Sequence, residues 1–425
     1  MNEGTKGPSF YSALSAHTDA VGAATRAAEQ VIRGAAGAPI DLLFVFISGA
    51  HAEHARAIST VLRERLSPRF MIGTSAEGVV GGSVEVEGAG AVSLLGASMP
   101  GVRFHTFTDA DIPPIPDELD DDTVAGLAQG VGVTGDLKAT FVFVDPYSVP
   151  MVRLLPALNR ARRLPGDAGT RGVLVGGLAS GAAAPGKVQL LLEDEVRTHG
   201  LVGISLSGDI EVEGVVSPGC KPIGQPFVVT RARGNLILQL GGRPALEAIQ
   251  DVVSELSVED QARLHNSLLI GRVVSEYKDR FGRSDFLIRN IIGVDKDLKA
   301  IAVTDIVRPG VTVQLQLRDA QTASEDLLML LDAQQLYARP RGALLITCNG
   351  RGTRLFPQPN HDAARIITAF AGARPGEEAA KSGQLTGFTP GMLPLAGFFA
   401  AGEIGPVGLD SHLHGQTACA VLFRA

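Results

Sequence analysis

Apolar and polar positions along this chain switch repeatedly between a helical period and a strand-like one, and the switches mark its elements. Small apolar residues recur at helical spacing over Thr18–Arg33, behind Thr18 or Asp19 as an N-cap, which predicts an alanine-rich helix. Asp41–Ile47 is instead a nearly continuous apolar run, the mark of a strand buried on both faces. A helix over Ala52–Leu66, a strand over Phe70–Ile72 and short strands at 84–86, 91–95 and 102–107 follow. A second unit of similar make-up runs from Ala139 to about Val216, with its helix near Val149–Arg163. Beyond Pro218–Gly224 the texture changes. Phe227–Arg231 and Leu236–Leu240 read as hairpin strands, and Pro244–Leu256 reads as a helix with Pro244 in its first turn. Phe286–Ile292, Ala300–Val303 and Val311–Leu317 form a β run, and a helix over Ala323–Ala338 leads into a third unit that closes the chain.

The three units share a six-position pattern, Gly-x-x-Ala-x-Gly, at Gly73–Gly78, Gly176–Gly181 and Gly397–Gly402. Each copy directly follows one apolar run. Each also lies downstream of a second run that breaks into polar or turn residues: Phe44–Ile47 before Ser48-Gly49, Phe141–Val144 before Asp145-Pro146, and Leu344–Cys348 before Asn349-Gly350. Such recurrence implies one supersecondary unit used several times. Glycines after a strand allow positive φ and close backbone approach, so the loops read either as ligand-binding turns or as plain strand crossings. The expected fold is α/β, with α+β as the variant, and its mixed sheets are built from repeated strand–helix–strand units in two domains. The expected divisions are an N-terminal extension over 1–40, a first domain over 41–232 whose two units join near 109–122, and a second over 233–425.

Bulk properties narrow the class. A chain of 425 residues with 45% hydrophobic and 20% charged residues is globular rather than disordered. Its net charge of −7 and lack of long Lys/Arg clusters argue against nucleic acid as a partner. The acidic, proline-containing stretch Asp109–Asp122 reads as an exposed connector, with a partner-docking site as the alternative. Three scattered cysteines make no disulfide framework. Without a leader-like apolar stretch or a run of eighteen apolar residues, a cytoplasmic protein with no membrane insertion is expected.

Several motifs, in this order and spacing, resemble the FIST family (F-box and intracellular signal transduction), with an N-terminal and a C-terminal FIST domain. They are Asp41-Leu-Leu-Phe-Val-Phe46, the loop at 73–78, Gly176–Ser180, Gly200–Gly208 leading to Gly219-x-x-Pro222-Ile-Gly224, Phe286–Asn290, Cys348-Asn-Gly-Arg351, Gly402-Glu-Ile-Gly-Pro406 and His412–Thr417. Thr74 departs from the pattern, since similar proteins often carry Cys there, which puts a thiol mechanism at that position in doubt. The resemblance implies a bacterial-type, non-enzymatic sensor of a small ligand, amino acids having been proposed for the family. It also implies a signalling partner protein such as a histidine kinase. Haem-based sensing of nitric oxide is a second implication, and a protein-interaction scaffold a further one.

Arg351 is suited to bidentate carboxylate recognition, and Glu403 matches an acidic position of the family pattern. The two read either as anchors for the carboxylate and ammonium of an amino-acid ligand or as a structural pair with each other. Asn349, Cys348 and Thr417, together with Gly73, Ser75, Glu77, Gly176, Ser180 and Gly402 in the glycine loops, complete the candidate ligand set, with local turn satisfaction as the bland alternative. His412 and His414 share a strand face and are the candidates for haem or a metal, and His51 and His54 are further candidates for an axial ligand, read as helix-surface residues. No resident cofactor or metal is otherwise expected. An enzyme using Cys348, or Arg351 with Glu403, is the reading from another class. No Gly-x-Ser-x-Gly elbow or phosphate-binding loop supports hydrolysis or nucleotide binding.

Overall fold

The structure is a computed structural model that describes residues 7–163, 172–264, 268–278, 280–371 and 391–425. It is α/β with several mixed sheets. The chain divides into two compact units. One comprises the chain up to Val216 with Leu328–Leu413 and Ala418–Ala425, and the other Ser217–Leu327 with His414–Thr417.

The first unit contains the same run of elements three times. Repeat one is β1 (Ser9–Ala16), α1 (Ala20–Ala35), β2 (Leu42–Ser48), α2 (Ala55–Leu66), β3 (Phe70–Ala76), the hairpin β4 (Gly78–Gly81) and β5 (Val84–Glu87), and β6 (Ala91–Ser98). Repeat two is β7 (Val102–Thr108), α3 (Asp121–Gly130), β8 (Leu137–Val144), α4 (Met151–Ala161), β9 (Val173–Leu178), the hairpin β10 (Leu190–Leu192) and β11 (Glu195–Arg197), and β12 (Leu201–Gly208). Repeat three opens with β13 (Glu211–Ser217), and its remaining elements follow the inserted second unit.

That second unit holds β14 (Cys220–Arg233), β15 (Leu236–Leu240), β16 (Arg243–Pro244), α5 (Ala245–Ser254), α6 (Val258–Arg263), β17 (Leu268–Val273), β18 (Phe286–Asp295), β19 (Ala300–Val303) and β20 (Thr312–Arg318). The antiparallel order β14-β20-β17-β18-β19-β15 returns to β14, so these strands close a barrel, which leaves no unpaired edge among them. Ile223, Val229, Ile237, Ile270, Ile301 and Leu315 belong to its core, with Ala248 and Val252 of α5 packed on them. Repeat three then resumes with α7 (Ala320–Gln334), β21 (Gly342–Cys348), α8 (His361–Ala369), β22 (Leu395–Ala400), the hairpin β23 (Glu403–Val407) and β24 (Asp410–His414), and β25 (Ala418–Arg424).

Each repeat builds one six-stranded sheet, but none keeps its own hairpin. The orders are β1-β6-β2-β3-β10-β11, β7-β12-β8-β9-β23-β24 and β13-β25-β21-β22-β4-β5. Repeat two thus lends its hairpin to the sheet of repeat one, repeat three to that of repeat two, and repeat one to that of repeat three. In every sheet the two central strands are parallel, β2 with β3, β8 with β9 and β21 with β22, and the lent hairpin pairs antiparallel to the second.

This closure explains the unbroken apolar runs. Phe44 and Phe46 of β2 and Phe141 and Phe143 of β8 belong to a core shared by all three sheets, whereas Leu43, Val45 and Ile47 pack with the alanine face of α1 and with α2. Phe44, Phe141 and Phe423 form a triangle with ring centroids 5.0–6.3 Å apart. Phe46, Phe143 and Phe398 form a second at 5.0–5.7 Å. The two triangles occupy the common centre of the three sheets.

Some local expectations change. The acidic stretch is more than a connector, because Asp120 caps α3 by accepting from the Thr123 N–H at 2.7 Å, and Asp121 and Asp122 sit favourably in its first turn. β1, α3 and β17 are among the elements that carried no expectation; β1 joins the first sheet, where 1–40 read as an extension, and β17 closes the barrel. No helix among the described residues is long and apolar enough to cross a membrane.

Candidate functional site

The three glycine loops leave the C-terminal ends of β3, β9 and β22, and the structure brings them together. Ser180 is the hinge of the junction: its Oγ accepts from the Glu77 N–H at 2.9 Å and donates to the Phe399 carbonyl. The Gly181 N–H donates to the Ser75 carbonyl at 3.3 Å, the Leu178 N–H to the Gly402 carbonyl at 2.8 Å, and the Ala401 N–H to the Leu178 carbonyl at 3.0 Å. Loops of all three repeats are therefore joined backbone to backbone.

The first glycine of each copy has one steric reason. A Cβ on Gly73, Gly176 or Gly397 would stand 1.8–2.0 Å from the carbonyl oxygen of Val45, Val142 or Leu345, its partner on the parallel neighbour. Ser75 is fully buried, its N–H donating to the Gln189 carbonyl at 2.8 Å and its Oγ accepting from the Gln189 N–H at 2.9 Å. Thr74, also buried, donates to the Ser75 carbonyl at 3.2 Å.

Glu77 lies at the open side of the junction. Its carboxylate takes both arms of the Arg354 guanidinium, Nη1 to Oε2 at 3.1 Å and Nη2 to Oε1, and the two side chains are 40% and 53% exposed. Arg354 also donates to the Asn349 carbonyl at 2.8 Å.

Arg351 lies behind this pair, fully buried. The carboxylate that takes its planar fork is that of Asp362 in the first turn of α8, with Nε to Oδ2 at 2.7 Å and Nη2 to Oδ1 at 2.8 Å. Thr347 Oγ1 donates to Asp362 Oδ2 at 3.0 Å and His361 Nδ1 lies 3.0 Å from Oδ1. The His361 ring stacks on Phe356 at 3.5 Å, and the Arg351 guanidinium sits over the same phenyl ring at 5.2 Å. Burial by itself would raise the Asp362 carboxyl, but the Arg351 charge and these hydrogen bonds outweigh it and hold the group below its ordinary range.

Glu85 of the hairpin lent by repeat one reaches the same cluster. Its Oε1 accepts from the Ala363 N–H at 2.9 Å, and its own N–H donates to Asn360 Oδ1 at 2.8 Å. Its Oε2 is buried and has no hydrogen-bond partner among the described residues. Burial, with the Asp362 charge adding, pushes this carboxyl up to about 7. Glu87, two residues along the strand, accepts from the Thr353 N–H at 3.0 Å and hydroxyl at 3.1 Å.

Of the remaining candidates, Cys348 adjoins Arg351, whose N–H donates to its carbonyl at 2.8 Å. Glu403 is fully buried at the start of β23, opposite Gly177, and its charge, after burial, helps push the Cys419 thiol up to about 12. Cys348 is buried at the end of β21, with its sulfur 3.4 Å from the Gly350 N–H. His414, the last residue of β24, and Thr417 group with the second unit. His412 lies on β24. His51 is not a surface residue: it is buried, with Nε2 2.8 Å from the His17 carbonyl, so that nitrogen is committed to a backbone oxygen. Among the described residues no group of three or more His, Cys, Asp or Glu side chains is placed to hold a metal ion.

Asp362, Glu85 and Arg354 are among the site residues that were not anticipated. Glu85 and Glu87 alternate on one strand face, and Arg354 follows Arg351 by one helical turn, but neither spacing names a partner.

A family description of the FIST N domain matches residues 41–243, and one of the FIST C domain matches residues 245–406. The chain belongs to the FIST family. FIST domains are sensory domains of signal transduction. The chain is 36% identical over 407 residues to the uncharacterized protein Rv0628c of Mycobacterium tuberculosis, covering 94% of this chain and 96% of that one. It is equally 36% identical over 410 residues to the uncharacterized protein Mb0898c of Mycobacterium bovis, covering 95% and 96%. The boundary between the two FIST matches falls within β16, just before α5, among the elements of the second unit.

Proposed function

We propose that this FIST protein is a non-enzymatic sensor of a small zwitterionic, amino-acid-like ligand, bound at the open side of the glycine-loop junction. The observation that carries the reading is the Glu77–Arg354 pair. It sets a carboxylate and a guanidinium side by side, the two groups that an ammonium and a carboxylate of one ligand require. Exposed ion pairs contribute only about 0–1 kcal/mol, so a ligand that replaces each partner's contact displaces the pair at little cost. Arg351 then serves as scaffold, since its fork is already taken by Asp362.

Glu77 belongs to repeat one and Arg354 to repeat three, so a ligand bridging them changes the coupling between repeats. That change is the signal, passed to a partner protein such as a histidine kinase. The test is a thermal-shift and calorimetric screen of the twenty amino acids, followed by Arg354→Met. A ligand that binds only the folded chain must raise its melting temperature. We expect at least one amino acid to do so, and its affinity to fall tenfold or more in Arg354→Met. A uniformly blank screen, or binding indifferent to that substitution, would sink the reading.

A further inference from the structure

The threefold repetition of the first unit allows one slot to be compared with its own copies. Ser48 and Cys348 face the motif alanines Ala76 and Ala400, and Asp145 follows Val144, which faces Leu178, so it holds the place opposite Ala179. Three residues beyond these positions stand His51, Ser148 and Arg351. In two repeats a large side chain closes the slot. His51 is buried against the His17 carbonyl, and a Cβ on Gly90 would meet its ring at 2.5 Å. Arg351 is buried against Asp362 and Phe356.

In repeat two the slot is open. Ser148 is small, and it lines a cavity of about 390 Å³, within the size range of small-molecule sites, roughly 300–1,000 Å³. The cavity exists because residues 109–120 connect β7 to α3 where residues 17–19 suffice between β1 and α1. That longer connector brings Ile112 and Ile115 over Leu154 of α4, making an apolar wall.

The polar groups at the cavity are unequal. Asp109 is already balanced, its Oδ1 accepting from Arg197 Nη2 at 3.0 Å and from the Leu201 N–H at 3.2 Å. Arg153 and His199 also line it. Among the described residues Arg153 is paired at 3.0 Å with Asp117, whose side chain is 85% exposed, a contact easily exchanged. The chemistry left for a ligand is an apolar wall beside an exchangeable cation.

We propose that this cavity binds a small monocarboxylate with a branched-aliphatic or aromatic body. The body lies between Ile112, Ile115 and Leu154, and the carboxylate takes Arg153 in place of Asp117. None of these residues belongs to the glycine loops, so the site is independent of the Glu77–Arg354 reading.

The test is calorimetric titration of the full chain with phenylacetate, 4-methylpentanoate and the neutral phenylacetamide. Saturable one-site binding of at least one carboxylate is expected, with the amide at least tenfold weaker than phenylacetate. Arg153→Met, on the surface, should weaken carboxylate binding at least tenfold and leave the amide unchanged. Ile115→Trp, which fills the space, should abolish binding of all three while circular dichroism reports an intact fold. Absence of saturable binding by both carboxylates overturns the proposal, as does binding that survives Arg153→Met and Ile115→Trp unchanged.

Discussion

Glu85 is the residue whose environment has the clearest measurable consequence. Its carboxyl is buried beside Asp362 and Glu87, with the Arg351 charge and one backbone N–H opposing them, and it is raised from its ordinary 4.5 to about 7. A carboxyl raised on folding holds its proton in the folded chain after the unfolded chain has released its own. Between pH 4.5 and 7 the folded state therefore binds more protons, and stability falls as pH rises, by about 3 kcal/mol across the window. Glu85→Gln keeps an oxygen for the Ala363 N–H and offers an amide donor to the otherwise unpartnered side. We expect urea unfolding of Glu85→Gln to gain on the parent chain from pH 5 to pH 8 by an amount of this order. Parallel stability curves would show that Glu85 is charged throughout.

At the scale of elements, parallel strand pairs crossing at close range require the first glycine of each loop. An alanine methyl at Gly397 would overlap the Leu345 carbonyl at 1.9 Å, and the strands on either side are fully buried, so β21 and β22 cannot separate without disturbing the shared core. Gly397→Ala is expected to cost more than about 3 kcal/mol in urea denaturation. Gly88→Ala is the contrast. It has φ +68 but nothing within 4 Å of its Cβ, so it should cost only the left-handed backbone penalty of about 1–2 kcal/mol. Equal costs at the two sites would refute the steric account.

For the whole molecule, the cyclic exchange of hairpins makes the three repeats of the first unit mutually dependent. A chain ending at residue 216 contains two complete repeats. It would nonetheless leave β4 and β5 without β22, leave β9 without β23, and lose Phe398 and Phe423 from the two aromatic triangles. Unpaired strand edges and a core open on one side favour aggregation over cooperative folding. Such a fragment is expected to lack slow-exchanging amides in β2 and β8, while the full chain protects both. Native-like protection in the fragment would mean that two repeats close without the third.

Much of this architecture is legible in the sequence because it is local. A run such as Leu42–Ile47 declares burial on both faces, and the recurring glycine pattern declares a repeated crossing, since only glycine fits opposite a neighbouring carbonyl. Helix α1 is announced by its alanine face and by Asp19, which accepts from the Gly22 N–H. What the residues could not disclose is partnership. Period and propensity state which face of a strand is buried, not which sheet receives a hairpin. Glu85 meets Ala363 across 278 positions, and Ser180 meets Phe399 across 219. Arg351 was legible as a fork for a carboxylate, yet Asp362 takes that fork because the start of α8 is brought against the end of β21. Most of the elements and the repetition of the glycine loops follow from the sequence alone, because burial and backbone sterics act within a few residues. The exchange of hairpins, the convergence of the loops and the partners of each charge belong to the tertiary structure, because only closure of three sheets around one core decides which distant residues share a dry interior.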